Sequence, residues 1–516
     1  MRDRRTRTLL RGLGGRQVSD RQPAGDSVGT SPGDPARDAA GLRARWHGKR
    51  VTVAGLGVSG VPAARTLKDL GAVVTVVNDG DDERARSQAA ELAEAGITVR
   101  LGDGATLPEG TELVVTAPGW KPDKPLFLAA AEAGVPVWGD VELAWQLRGP
   151  DAAPWLAVTG TNGKTTTVRM LAAILRAAGL RTEAVGNIGV SLLDAVLPDE
   201  NGREKYDVLA VELSSYQLHW APSLRAHSAA VLNIAPDHLD WHGSMEAYTA
   251  DKGRVYEGNT VACVYNAADK VTEDLVREAD VEEGCRAIGF TLGTPGPSQL
   301  GVVEGILVDR AFVENRSAQA QELAEIGDID PPAPHNIANA LAAAALARAY
   351  GVAPAAVRDG LRAFRPDPHR IEHVADVAGV SYVDDSKATN THAAEASLAA
   401  YDPIVWIAGG LAKGASFDEL VGKSAKRLRG VVLIGRDRAL IGEALARHAP
   451  EVPVVDLEQT DTGAMSAAVR AAARLAKTGD TVLMAPACAS MDMFVNYNKR
   501  GEAFADAVRA LAAEHA

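Results

Sequence analysis

From Arg50 onward, short runs of β-branched and aliphatic residues alternate with longer stretches in which apolar positions recur every three or four residues. "VTVAG", "VVTVVND" and "LVVTAPG" read as strands, and "VPAARTLKDLG" between the first two reads as a helix. Strands separated by helices need crossover connections, so the rhythm predicts a parallel sheet. "LRGPDAAP", from Leu147 to Pro154, combines Gly, Pro and Asp as a linker does. The rhythm resumes at Trp155 and continues through "YDVLAVELSS", "AAVLNIAPDH" and "NTVACVYN". From about Thr291 to Pro334 the pattern is mixed, with a turn at "GTPGPSQLG" and a hairpin at "QLGVVEGILVD"; the Ala-rich "NIANALAAAALARAYG" then reads as a helix. After "FRPDPHRIE" a third series follows, with strands at "VSYVDDS", "PIVWIAGG", "GVVLIG" and "DTVLMAPA".

The expected fold class is therefore α/β, in three domains: a Rossmann-like N-terminal domain over 46–149, a central P-loop ATPase-like domain over 150–365, and a Rossmann-like C-terminal domain over 366–516. A chain of 516 residues is too long for one core, which agrees with this division. Residues 1–45 are rich in Arg, Gly, Pro, Ser and Asp and lack the apolar core of a secretory signal, so they are expected to form a disordered tail. Asp3, Asp20 and Asp26 weigh against a transit peptide.

Hydrophobic residues make up 46% of the chain and charged residues 23%, with no apolar run long enough to cross a bilayer, so membrane insertion is not expected. A net charge of −13 argues against broad phosphate-backbone binding, and nucleic acid is not an expected partner. Cys263, Cys285 and Cys488 are far apart in sequence and make neither a disulfide framework nor a four-ligand zinc site, which suits a reducing cytoplasm.

The strongest chemical signal is "WLAVTGTNGKTTTVRMLAAILRAAG". A glycine-rich turn between a strand and a helix start aims backbone N–H groups at phosphate oxygens, where the helix dipole also favours negative charge. Gly160, Thr161, Asn162, Gly163, Lys164, Thr165 and Thr166 form this loop. Lys164 would reach the terminal phosphates, and the Thr165 hydroxyl sits where such loops bind Mg²⁺. Val158 occupies the place of the first glycine in the longer GxxxxGK[ST] pattern, so only the shorter form is present.

"VTVAGLGVSGVPAARTL" carries Gly55, Gly57 and Gly60 as G-x-G-x-x-G after a strand, with Asp79 ending the next strand. Taken alone it suggests NAD, or only tight strand–helix packing. Hydride transfer, however, has no need of a second phosphate loop, and the same cradle would accept any diphosphate, including a UDP group.

Together with "TAPG", "GNIG", "VELSSYQL", "NIAPDHLDWHGSMEAYTADK", "HNIANALAAAALA", "PHRIE", "DDSKATN" and "PACASMDMFVNYNKRGEAF", these motifs resemble the Mur ligases in consistent order over about residues 48–510. The closest resemblance is to the branch that joins D-glutamate to UDP-N-acetylmuramoyl-L-alanine at the expense of ATP, in peptidoglycan synthesis. It implies a cytoplasmic enzyme, expected to be a monomer, with small-molecule substrates, ATP and two Mg²⁺ ions. The domains would then bind the UDP-linked substrate, ATP and the amino acid, in that order.

The resemblance gives the first glycine loop to the UDP substrate, with Val58, Ser59, Asp79 and Gly119 at matching positions, and Asn187 of "GNIG" at a substrate-contacting one. It gives metal or catalytic roles to Glu212 and His238 beside Lys164. By pattern alone, Glu212 at a strand end is equally a solvated acid, and His238 a capping or surface histidine. Lys252 would by pattern alone be solvated; in similar ligases the matching lysine is carbamylated by CO₂, and its new carboxylate helps hold a second Mg²⁺. Asn336 and Asn339 share a helix face and would address adenine or ribose, although Asn336 could equally cap the helix. Arg370 and Asp385 resemble contacts to ATP from the C-terminal domain. Lys387, Thr389, Lys413, Ser490, Met491 and Tyr497 match the D-glutamate grip, with Met491 and Tyr497 standing where Leu and Phe are more usual. A sister ligase for meso-diaminopimelate would carry an Asn-Pro-Arg motif that is absent here, and folate ligases lack the UDP-binding first domain. A nicotinamide enzyme and a non-catalytic nucleotide-binding factor remain as readings from other classes.

Overall fold

A computed structural model of the chain describes residues 39–515, apart from 150, 200, 201, 367, 460 and 462. The tail expected over 1–45 lies outside the described residues as far as 38. Its last part differs from the expectation, because Ala39–Trp46 is a helix, anchored by a fully buried Trp46 set edge-on to Trp138 at 6.1 Å.

Three sheets carry the fold, as the three α/β series predict. The first has five parallel strands in the order Thr98–Leu101, Val73–Asn78, Arg50–Ala54, Leu113–Thr116, Val137–Gly139. The chain runs outward from Arg50–Ala54 to one edge and then returns to build the other side. This places a topological switch between Arg50–Ala54 and Leu113–Thr116, and ligands of open α/β sheets bind in the crevice beyond such strand ends. The GLGVSG and TAPG loops leave from that point.

The second sheet has nine strands. Trp155–Thr159 lies between Val208–Glu212 and Ser228–Val231, with Val158 opposite Glu212 and Thr159 opposite Val231. The phosphate loop, Glu212 and the segment after Val231 therefore emerge at one end of the sheet. At the far edge the expected hairpin is present as Gln299–Val303 and Ile306–Asp309, joined by an antiparallel strand, Gln321–Glu325. Cys263 and Cys285, distant in sequence, bring their sulfurs within 3.9 Å as free thiols.

The third sheet runs Glu372–Val377, Val380–Asp384, Thr481–Met484, Ile404–Gly409, Leu428–Ile434, Val454–Asp456, with only its first pair antiparallel. Along Ile404–Gly409, Trp406 and Ala408 enter one apolar cluster while Val405 and Ile407 enter another. Successive side chains of a strand point to opposite faces, so this sheet is covered on both sides.

The described chain forms two compact units: everything up to Ile326 with Ala338–Ala363, and Gly327–Ile337 with Phe364–Ala516. The first unit contains two sheets that share one apolar cluster, which includes Val53 and Val76 of the first sheet and Ala157 and Val211 of the second.

Within the first unit, helix Pro354–Ala363 packs on helix Lys164–Ala177, which begins at the phosphate loop. The approach is closest at Gly360, where a Cβ would stand 2.4 Å from Ile174 Cα. Backbone cannot yield as a flexible side chain can. Gly360→Ala is expected to cost roughly 1–3 kcal/mol by overpacking, read as a lowered midpoint of thermal unfolding; an unchanged midpoint would refute the close packing.

Candidate active site

The strand Trp155–Thr159 is buried throughout and ends on Gly160, where a Cβ would stand 3.1 Å from Leu232 Cβ and the φ is 149°. Gly163 precedes the helix with a φ of 85°, and a Cβ on it would come 2.4 Å from Asn339 Oδ1. Both positions require glycine. The residues between them are strapped to the neighbouring segment. Thr161 N–H donates to Asn233 O at 3.0 Å, Asn162 N–H to Asn233 Oδ1 at 2.9 Å, and Asn233 Nδ2 returns a bond to Asn162 O at 3.1 Å. The loop is held in shape by the protein's own hydrogen bonds. Lys164 Nζ lies 2.9 Å from the carbonyl oxygens of both Gly160 and Thr161. Thr165 is buried in the first helical turn, and Thr166 is half-buried.

Glu212 ends its strand almost wholly buried. Its Oε1 accepts from Asn187 Nδ2 at 3.0 Å, whereas Oε2 is buried with no hydrogen-bond partner. An orphaned anionic oxygen is costly unless something cationic meets it. His238 follows in the left-handed region, with a φ of 54°, and burial pulls its pKa down against the opposing pull of Asp237.

Lys252 is only 2% exposed. Helix Met245–Gly253, capped by Ser244, turns it inward, where Nζ donates to Gly160 O at 2.9 Å and lies 4.8 Å from the Tyr248 ring centroid. Burial, reinforced by the Lys164 charge, holds its pKa well below the usual lysine range. A neutral buried amine can attack CO₂; a solvated ammonium cannot. The next residue back, Asp251, is pinned by His219 Nδ1 at 2.9 Å and His242 Nδ1 at 3.0 Å, which fixes the rotation of the helix.

The phosphate loop, His238 and Lys252 border one cavity of about 210 Å³, which is lined by Thr161, Lys164, Asn187, Asp237, His238 and Lys252 and further by Ser214, Ser215, Tyr216 and Tyr248, with Glu212 bonded to it through Asn187. Asp237 and the last four lining residues carry no role in the sequence reading. "SSYQL" and "EAYTADK" signal them only as motif text, because nothing in the spacing says which side chains turn inward. Tyr216 stacks on His242 with ring centroids 5.5 Å apart and lies tilted against His238 at 4.8 Å. Asn187 belongs to this cavity through its bond to Glu212, while the other residues matched to the UDP substrate lie around the first sheet.

There, Val58 is 86% exposed at the tip of the glycine loop. Ser59 Oγ donates to Asp140 Oδ2 at 3.0 Å. Asp79 is paired with Lys124, whose ammonium also lies 4.6 Å from the Trp120 ring centroid. Gly119 O accepts from Trp241 Nε1 at 3.3 Å, which ties the TAPG loop to the segment carrying His238. On the helix Pro334–Ala349, Asn336 Nδ2 donates to Pro331 O at 3.2 Å, and Asn336 and Asn339 are both buried.

In the second unit, the buried Arg500 joins two motifs. Its guanidinium donates to Ser386 Oγ at 3.0 Å, Ser386 O at 2.8 Å and Cys488 O at 3.0 Å. Lys387 Nζ lies 4.1 Å from the Tyr497 ring centroid, and backbone pairing of Leu411 with Ala489 brings the exposed Lys413 loop beside buried Ser490. Thr389 is half-buried, and Met491 is exposed. Arg500 was legible only as motif text in "NKRGEAF". Arg370 lies near Asp385, whose carboxyl is buried, accepts from Ser397 Oγ and has its pKa pushed up to about 6, burial outweighing both partners.

A phosphate loop beside an orphaned carboxylate and a buried lysine, on the second of three α/β sheets, defines a nucleotide-using ligase of the acyl-activating class. The model of the Mur ligase middle domain matches residues 158–347, and that of the Mur ligase glutamate ligase domain matches 369–488. The chain is 84% identical over 468 residues to the UDP-N-acetylmuramoylalanine–D-glutamate ligase of Streptomyces avermitilis, covering 91% of this chain and 99% of that one. It is 61% identical to the protein of the same name from Thermobifida fusca, with 90% and 99% covered. Among solved structures, the MurF ligase of Thermotoga maritima in complex with ADP aligns with a TM-score of 0.53 at 16% identity, over 92% of this chain and 97% of that one, a likeness of fold. The chain belongs to the Mur ligase family, among the UDP-N-acetylmuramoylalanine–D-glutamate ligases. No helix among its described residues is long and apolar enough to cross a membrane.

The folded pKa of Asp385 lies above its ordinary value of 3.8. A raised carboxyl pKa gives stability that is complete below the unfolded value and is lost as pH rises through the folded one, so the window is about pH 4 to 6. Asp385→Asn is expected to flatten this fall, worth at most roughly 3 kcal/mol, in thermal unfolding followed across that range. An equal fall in the variant would assign the pH dependence elsewhere.

Proposed function

We infer that this chain joins D-glutamate to UDP-N-acetylmuramoyl-L-alanine through an acyl phosphate, consuming ATP in the synthesis of peptidoglycan precursors. The observation that carries the reading is the meeting of the phosphate loop and the buried Lys252 around one cavity, with Glu212, whose Oε2 is orphaned, bonded to the cavity-lining Asn187. The substrate carboxylate attacks the γ-phosphorus of ATP and ADP departs; the amine of D-glutamate then attacks the acyl carbon and inorganic phosphate leaves. Two anions must approach in the first step, so cationic groups have to neutralise them.

Lys164, released from the two carbonyls it meets, reaches the terminal phosphates, and the N–H groups of 160–166 cradle the rest. Thr165, Glu212 and His238 are the residues that would hold Mg²⁺, together with a carbamate on Lys252, and two ions are proposed. The donor set suits the ion: Glu212 Oε2 lacks any other partner, and a carbamate would turn the Lys252 position from cationic to anionic. Mg²⁺, when bound, supplies charge neutralisation at the phosphates. Asn336, Asn339, Arg370 and Asp385 are proposed for the ATP nucleoside and phosphates. Val58, Ser59, Asp79, Gly119 and Asn187 are proposed for the UDP-linked substrate. Lys387, Thr389, Lys413, Ser490, Met491 and Tyr497 are proposed for D-glutamate, whose second carboxylate calls for cations and hydroxyls at fixed distance. The corresponding domains are 46–149, 150–365 and 366–516, in a monomer working in the cytoplasm.

Incubation with UDP-N-acetylmuramoyl-L-alanine, ATP, Mg²⁺ and single amino acids is expected to release phosphate with D-glutamate only; equal release with L-glutamate or L-lysine would overturn the acceptor assignment. Oxygen-18 placed in the substrate carboxylate should appear in that phosphate. Lys252→Ala is expected to lose most activity and to regain part of it with short-chain carboxylic acids. Full activity in the untreated variant would remove Lys252 from the mechanism.

A further inference from the structure

A buried carboxylate behind the first glycine loop has no task in the scheme above. Asp140 opens the helix Asp140–Leu147 directly after the strand Val137–Gly139. Its Oδ2 accepts from Ser59 Oγ at 3.0 Å and, more weakly, from Gln217 Nε2 at 3.4 Å. Its Oδ1 is buried without a hydrogen-bond partner. The groups acting on it are Ser59, Gln217 and the N–H groups at its own helix start, and burial raises its pKa. A carboxylate kept from water with neutral partners is costly, and an apolar residue would fill the space at less expense.

Each partner leads to a functional segment. Ser59 belongs to the loop matched to the UDP-linked substrate. Gln217 Oε1 accepts from Ser214 N at 3.1 Å and closes the capping box of helix Ser215–His219, and Ser214 and Ser215 line the central cavity. Asp140 is thus an acceptor that the glycine loop of the first sheet and the helix after Glu212 share. A serine hydroxyl rotates freely unless its proton is committed. Bonded to Asp140, the Ser59 hydroxyl has its proton committed and its rotation restrained.

We propose that Asp140 is a positioning residue for the UDP-linked substrate, acting through Ser59 and fixing that hydroxyl in its binding orientation. This rests on the assignment of Ser59 to the substrate. Loss of one well-placed hydrogen bond corresponds to about a tenfold change in affinity.

The test is a double-mutant cycle on the full-length enzyme, with KM measured for each substrate. Asp140→Ala is expected to raise KM for UDP-N-acetylmuramoyl-L-alanine about tenfold while kcat and the KM values for ATP and D-glutamate stay within about twofold. Asp140→Asn keeps an acceptor for Ser59 and is expected to stay within about threefold of the native KM. Ser59→Ala should match Asp140→Ala, and the double variant should be no worse than either single one, since the effect passes through one hydroxyl. If Asp140 served only as a helix cap, the losses would multiply to about a hundredfold and the proposal would fail. It would also fail if Asp140→Ala left KM unchanged while Ser59→Ala raised it. Should Asp140→Ala fold poorly, Asp140→Leu keeps the volume, removes the acceptor and takes its place in the cycle. An unchanged KM in Ser59→Ala would withdraw both Ser59 and this proposal. Phosphate release that depends on D-glutamate, measured in the same variants, reports on the ligase reading separately.

Discussion

The carbonyl oxygen of Gly160 accepts from two lysine amines, Lys164 and Lys252, each at 2.9 Å. Two ammonium ions cannot share one acceptor inside a protein cheaply, because each raises the cost of charging the other and burial adds to both. Burial falls harder on the deeper one, Lys252, and lowers its pKa. That single electrostatic constraint separates the two amines: Lys252 is buried, whereas Lys164 is half-buried at the start of its helix. The strand register enforces the arrangement, since Val158 opposite Glu212 and Thr159 opposite Val231 bring carboxylate, loop and His238 segment to one sheet end.

Buried polar groups recur wherever separate loops must hold a common geometry. Arg500 fastens "DDSKATN" to "PACAS". Asp251 fixes the Lys252 helix through two histidines. Asp140 joins the first glycine loop to the helix after Glu212. Apolar packing at these points would cost less, but it is non-directional and would leave hydroxyls and loops free to turn. Each buried polar residue exchanges stability for a defined direction.

The α/β class and the strands around both glycine loops were legible in the chain, because central strands buried on both faces read as unbroken apolar runs. Edge strands such as Thr98–Leu101, Val454–Asp456 and Gln321–Glu325 were not, since half their side chains meet water and their pattern is that of loops. The helix Ala39–Trp46 was hidden for a related reason: it has no apolar stripe and is anchored by a buried tryptophan.

By itself the sequence determined the phosphate loop and the family, because glycines at fixed spacing before a helix leave few backbone conformations and few ligands. Its reading of Lys252 without the family was a solvated side chain. Only the tertiary structure decided otherwise. The protonation state of an amine depends on how much water and which charges surround it, and these come from segments 92 and 88 residues away in the chain, at Gly160 and Lys164. The same holds for Asp140, whose helix start is visible in sequence but whose bond to Ser59 spans 81 residues and exists only because two strands share a sheet.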